Sequence, residues 1–107
     1  MKPYKYKTGK KLYRIRRYFK NKYIVGGYIE SCKIISRYTN TPVEPWYFIE
    51  TKDQTITWGE NELYETESEA RLKLEDEIKY SLNRLEKIYK ETKQAIEYGI
   101  NNITTKQ

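Results

Sequence analysis

The sequence predicts an α+β fold: a small, bent antiparallel sheet or barrel followed by one long C-terminal helix. Three observations predict it. Residues Lys11 to Phe19 alternate with a period of two, Gly26-Gly27 interrupts a run rich in β-branched and aromatic residues, and Thr66 stands three residues before Glu69 at the head of a stripe with helical spacing.

Residues 1–10, MKPYKYKTGK, carry a Pro, a Gly and four Lys without apolar periodicity, the pattern of a flexible basic arm. Residues 11–65 supply the sheet. In KLYRIRRYF, Tyr13, Ile15, Arg17 and Phe19 share one face of a strand and Leu12, Arg14, Arg16 and Tyr18 the other. The first face is the expected inner one, with Arg17 near its rim. A turn at Lys20-Asn21-Lys22 leads into YIVGGYIESCKIISRY, where two adjacent glycines mark a bend or bulge. Ile29 and Ile34 differ by an odd number of positions, so simple alternation cannot bury both on one face; a bulge near Ser31-Cys32, or strong bending, reconciles them. TNTPVEP is a loop, and the runs Pro45–Thr51 and Gln54–Trp58 flank Lys52-Asp53 as a hairpin, with Trp46, Phe48, Ile56 and Trp58 the expected aromatic and aliphatic bulk.

Thr66 and Glu69 form a capping box, so the helix spans 66–99. Ala70, Leu74, Ile78, Leu82, Leu85, Tyr89 and Ile96 recur every three or four residues, joined by Ile88 and Ala95. Gly99 is placed to end the helix and 100–107 to follow as a tail. A helix from Thr66 to Tyr98 is roughly 50 Å long, more than a small sheet can cover. It either folds back, at Ser81 or Asn83, or projects to meet a partner.

The chain is a single domain of 107 residues; without its twelve Tyr only 28 hydrophobic residues remain, a thin supply for a core. With no His, no Ser-His or Cys-His nucleophile pair and no imidazole metal ligand exist, so no catalytic residue, metal or cofactor is expected. Cys32 is the only cysteine, which excludes an intramolecular disulfide, makes a buried thiol the expected role and points to the cytoplasm. No apolar run is long enough to span a membrane, and no signal-peptide pattern follows Met1.

Charge is polarised. Residues 1–40 hold twelve Lys or Arg and one acid, Glu30, while the remainder holds nine basic and fourteen acidic residues. Lysines and arginines interleaved with Tyr4, Tyr6, Tyr13, Tyr18 and Tyr23 suit phosphate contact with base stacking, and Arg14, Arg16, Arg17, Tyr18, Lys20 and Lys22 form the candidate binding strand. The competing reading is a solvated basic face that protects an edge strand. Acids between Glu60 and Glu77 suit the electropositive start of a helix better than catalysis. Leu85, Ile88, Tyr89 and Ile96 form the candidate partner or homodimer surface.

Gly27-Tyr28-Ile29-Glu30-Ser31-Cys32-Lys33-Ile34, Trp46-Tyr47-Phe48-Ile49 and Glu60-Asn61-Glu62-Leu63-Tyr64-Glu65-Thr66-Glu67-Ser68-Glu69-Ala70 carry a resemblance, spanning about residues 11 to 75. The pattern resembles small accessory proteins of phages and mobile elements of low-GC Gram-positive bacteria, in which an SH3-like barrel leads into a C-terminal helix. That class includes anti-CRISPR and other inhibitors of host defence. The resemblance implies a non-enzymatic protein acting in the cytoplasm of a bacterial host by binding a host protein or nucleoprotein complex. The alternative is a stand-alone basic module that binds RNA or DNA, dimeric through its C-terminal helix.

Overall fold

The computed structural model describes residues 3–39 and 44–101. Four strands, β1 (Lys11–Lys20), β2 (Tyr23–Tyr38), β3 (Trp46–Glu50) and β4 (Thr55–Gly59), form one antiparallel sheet in the order β1-β2-β3-β4, curled into a half-barrel. A short 3₁₀ turn at Glu60–Glu62 then leads to one helix, α1 (Glu67–Asn101). No described helix is long and apolar enough to cross a membrane.

The β1–β2 hairpin turns through Asn21 and Lys22, both with positive φ (49° and 74°), the two-residue geometry whose twist matches that of the strands it joins. β2 is long enough to serve two neighbours: its first part pairs with β1, and Lys33 to Tyr38 pair with β3. Two bulges bend it. Val25 is the extra residue between the pairs Tyr18/Gly26 and Phe19/Ile24, and Ile35 the extra one between Ile34/Ile49 and Ser36/Phe48. Gly27 is required for a different reason: a Cβ there would lie 2.4 Å from the Arg16 carbonyl oxygen, closer than any side chain can approach.

No bulge falls at Ser31-Cys32. Ile29 and Ile34 are reconciled instead by burial of both faces of the sheet. On one face Leu12, Cys32, Ile34, Tyr47, Ile49 and Leu63 pack with Tyr6, while Tyr4, Ile56 and Trp58 close the edge. On the other, Ile15 packs with Ala70 and Leu74 of α1, joined by Tyr13, Ile24, Ile29, Tyr64 and Ile78. The same double burial reverses the expected phase of β3, where Tyr47 and Ile49 are fully buried and Trp46 and Phe48 are half-buried. A fold with few hydrophobic residues thus distributes them over two thin cores, and an aromatic residue, Tyr47, is the largest apolar side chain fully enclosed.

The N-terminal residues, flexible by composition, are laid along the sheet from Tyr4 onward. Gly9 N–H donates to Ile34 O (2.8 Å) and Lys10 O accepts from Ile34 N–H (3.0 Å), continuing the ladder of β1 with β2 one step beyond Lys11. The Tyr4 hydroxyl donates to Tyr38 O (2.8 Å), and the Tyr47 hydroxyl accepts from Tyr6 N–H (3.0 Å) while donating to the Glu60 carboxylate. Aromatic burial is what fixes the arm: Tyr6 is buried, and Tyr4 meets the Tyr47 ring edge-on at 5.4 Å.

The helix begins where the capping box places it, with Thr66 Oγ1 accepting from Glu69 N–H at 3.1 Å. Its position on the sheet is set one step earlier, by paired backbone bonds between Tyr13 and Tyr64, both 2.9 Å. Leu63 and Tyr64 then enter opposite cores. The helix neither folds back at Ser81 or Asn83 nor stops at Gly99; it runs unbroken to Asn101 and draws the molecule out to 77 × 29 × 23 Å. Residues 102–107 of the expected tail lie outside the described residues.

Candidate nucleic-acid interface

β1 and the turn that follows it carry the six candidate binding residues into three different environments. Arg14 is not in solvent; it is 1 % exposed. The register sets Glu30 directly opposite, Arg14 Nε donates to Glu30 Oε1 (2.7 Å), Nη2 lies 2.6 Å from the same oxygen, and the guanidinium sits 4.6 Å from the Trp58 ring centre. The one acid of the first forty residues therefore balances a buried cation, and Arg14 is part of the core.

Arg17 is also committed. It lies on the helix-facing side, where Nε donates to Glu77 (2.9 Å) and Nη2 to Glu62 (3.0 Å). Burial alone would lower its pKa, but these two carboxylates outweigh that and raise it. Three acids of the stretch from Glu60 to Glu77 are thus structural: Glu62 and Glu77 hold Arg17, and Glu60 holds Tyr47.

Arg16, Tyr18, Lys20 and Lys22 form the exposed set. Arg16 and Tyr18 point to one face of β1, and Tyr28, opposite Arg16 in the register, completes the cluster. Its guanidinium is 5.9 Å from the Tyr28 ring centre, and the Tyr18 and Tyr28 rings lie 6.0 Å apart at 47°. Glu30 reaches Arg16 only at 3.7 Å and is already bonded to Arg14. Lys20 precedes the turn at the tip and Lys22 lies within it, with exposed Phe19 on the side that faces the helix. Ile24 N–H donates to Ser81 Oγ (3.2 Å), tying the tip to α1. The result is a ribbon whose end presents a guanidinium, two phenol rings and two ammonium groups, suited to stacking on bases and pairing with phosphates.

A second basic surface lies at the opposite end of β1, roughly 30 Å away at about 3.3 Å per residue. Lys11 and Lys33 are cross-strand partners, with exposed Lys7 and Lys10 beside them. Arg37 lies over the Tyr4 ring at 4.8 Å. Tyr6, Lys7, Thr8, Ile34, Ser36 and Arg37 line an open groove of about 500 Å³ there. These lysines are plain in the sequence, but nothing local signals that aromatic packing would give them fixed positions.

Leu85, Ile88, Tyr89 and Ile96 all lie on the part of α1 beyond the sheet and are exposed by 39, 41, 67 and 58 %. Cys32 is buried, and burial pushes its thiol up to about 11, so it is a core side chain and a poor nucleophile. Among the described residues no group of three or more acidic or sulfur ligands is placed to hold a metal ion.

Comparison with protein-family models, with curated proteins and with solved structures finds no match for this chain.

Proposed function

We propose that the protein is a non-enzymatic, cytoplasmic binding protein that inhibits a host defence nucleoprotein, engaging its nucleic-acid component through the tip of the β1–β2 hairpin. The observation that carries this reading is the cluster of Arg16, Tyr18 and Tyr28 with Lys20 and Lys22, presented together on one ribbon, where the carboxylate that approaches Arg16, Glu30, is bonded to Arg14. Buried Arg14 and paired Arg17 leave the functional set, because neither has a charge to offer a partner.

The experiment measures binding of wild type and of an Arg16→Glu, Lys20→Glu variant to a host ribonucleoprotein and to bare single-stranded RNA, at low and physiological salt. Loss of nucleoprotein binding with unchanged thermal stability supports the reading, since exposed charges contribute little to folding. Undiminished binding by the variant overturns it. The lysine surface around Lys11 and Lys33 favours a second reading, a stand-alone nucleic-acid module whose two basic patches track one strand. That reading requires tight binding to bare RNA with a steep salt dependence.

A further inference from the structure

Beyond Ser81, the last buried residue of α1, the helix continues for twenty described residues without sheet to cover it. Its apolar line does not stop there. Leu82, Tyr89 and Ile96 repeat at sevens, as do Leu85, Thr92 and Gly99, giving the a and d positions of a heptad pattern. An isolated helix of this length is marginal in water, so packing must come from another surface.

The flanks of this stripe say what that surface is. From Leu82 to Asn101 there are four basic and three acidic residues, near neutrality, in contrast to the basic hairpin. One flank holds Glu86 and Lys93, seven residues apart; the other holds Ile88 and Ala95. In a parallel pair each flank meets the opposite flank, so Glu86 and Lys93 would face Ile88 and Ala95. In an antiparallel pair each flank meets its own kind, and Glu86 of each copy faces Lys93 of the other, twice by symmetry.

We infer that the protein forms a homodimer through an antiparallel pairing of the distal halves of α1, with Leu85 packed on Ile96, Tyr89 on Thr92 and Leu82 on Gly99 of the other copy. Gly99 supports this register. A glycine inside a helix is unfavourable, and a Cβ at this position would meet nothing within the chain; opposite Leu82 of the second copy, the absence of a side chain makes room for a leucine. The pairing begins immediately after the sheet's cover ends, so the two heads do not collide. It sets the two Ser81 positions, and the hairpin tips bonded to them, roughly 28 Å apart along the helix axis. One assembly thereby presents two basic tips, whatever their ligand.

The test is sedimentation equilibrium of the full chain over a range of concentrations. Wild type is expected at twice the 13.0 kDa chain mass. Leu85→Glu with Ile96→Glu should give monomers with an unchanged strand signal in circular dichroism. Glu86→Lys alone and Lys93→Glu alone should each weaken the dimer about tenfold, and the double exchange should restore it, because opposite charges face again. A monomeric wild type, a dimer indifferent to the leucine and isoleucine changes, or single charge reversals without effect or without rescue would each overturn the proposal.

Discussion

The molecule has an enclosed half and a projecting half, and the contrast runs through individual elements. Leu74 and Leu85 lie on the same face of one helix three turns apart, yet Leu74 is 7 % exposed and Leu85 39 %. Arg14 and Arg16 point from the same face of one strand, yet the first is sealed against Glu30 and Trp58 while the second rests on the exposed Tyr28 ring. Residue type and periodicity are alike within each pair. What differs is whether a second element passes overhead, and this separates stability from binding capacity along each element.

Arg14→Ala should break the contrast most severely. Removing the guanidinium leaves Glu30 and a void beside Trp58, at about 4 kcal/mol, whereas Arg16→Ala should change stability by at most about 0.5 kcal/mol. Urea denaturation of both variants checks this, and equal effects would erase the division within β1. Leu74→Ala should cost about 3 kcal/mol through the lost contacts and the cavity left under the sheet. Leu85→Ala should leave the head intact and act only on association, visible as a concentration-dependent change in melting.

Tyr47 gives the enclosed half a pH signature. Burial, reinforced by its bond to Glu60, pushes its hydroxyl up to about 12 from the ordinary 10.0. The folded state thus favours the neutral phenol; its contribution is complete below pH 10 and is lost as pH rises toward 12, on the order of 2 kcal/mol. Tyr47→Phe should flatten the stability profile in that window, read by denaturation at several alkaline pH values. A smaller loss is expected of Thr66→Ala, about 1 kcal/mol from the lost cap, seen as a modest fall in melting temperature. No change would place the helix start elsewhere.

Legibility follows the same division. The Thr66 cap on Glu69 N–H, the turn at Asn21-Lys22 and the hairpin around Lys52-Asp53 depend on residues a few positions apart, and each stands where the sequence puts it. The exposed members of the candidate site, Arg16, Tyr18, Lys20 and Lys22, are legible as a basic and aromatic strand end. Arg14 and Arg17 are not separable from them by sequence, because their partners Glu30, Glu62 and Glu77 lie 16 to 60 residues away. Tyr28 joins the cluster only through the β1–β2 register.

The sequence by itself determined the element order, the helix start and the polarity of charge, since these follow from short-range spacing and composition. Tertiary structure decided which face of each strand is buried, that both faces are, that the arm is fastened by Tyr4 and Tyr6, and which arginines stay free. The physical reason is that burial belongs to pairs of elements. A period of two or of 3.6 names a face, but only the chain passing over that face settles whether it meets protein or water.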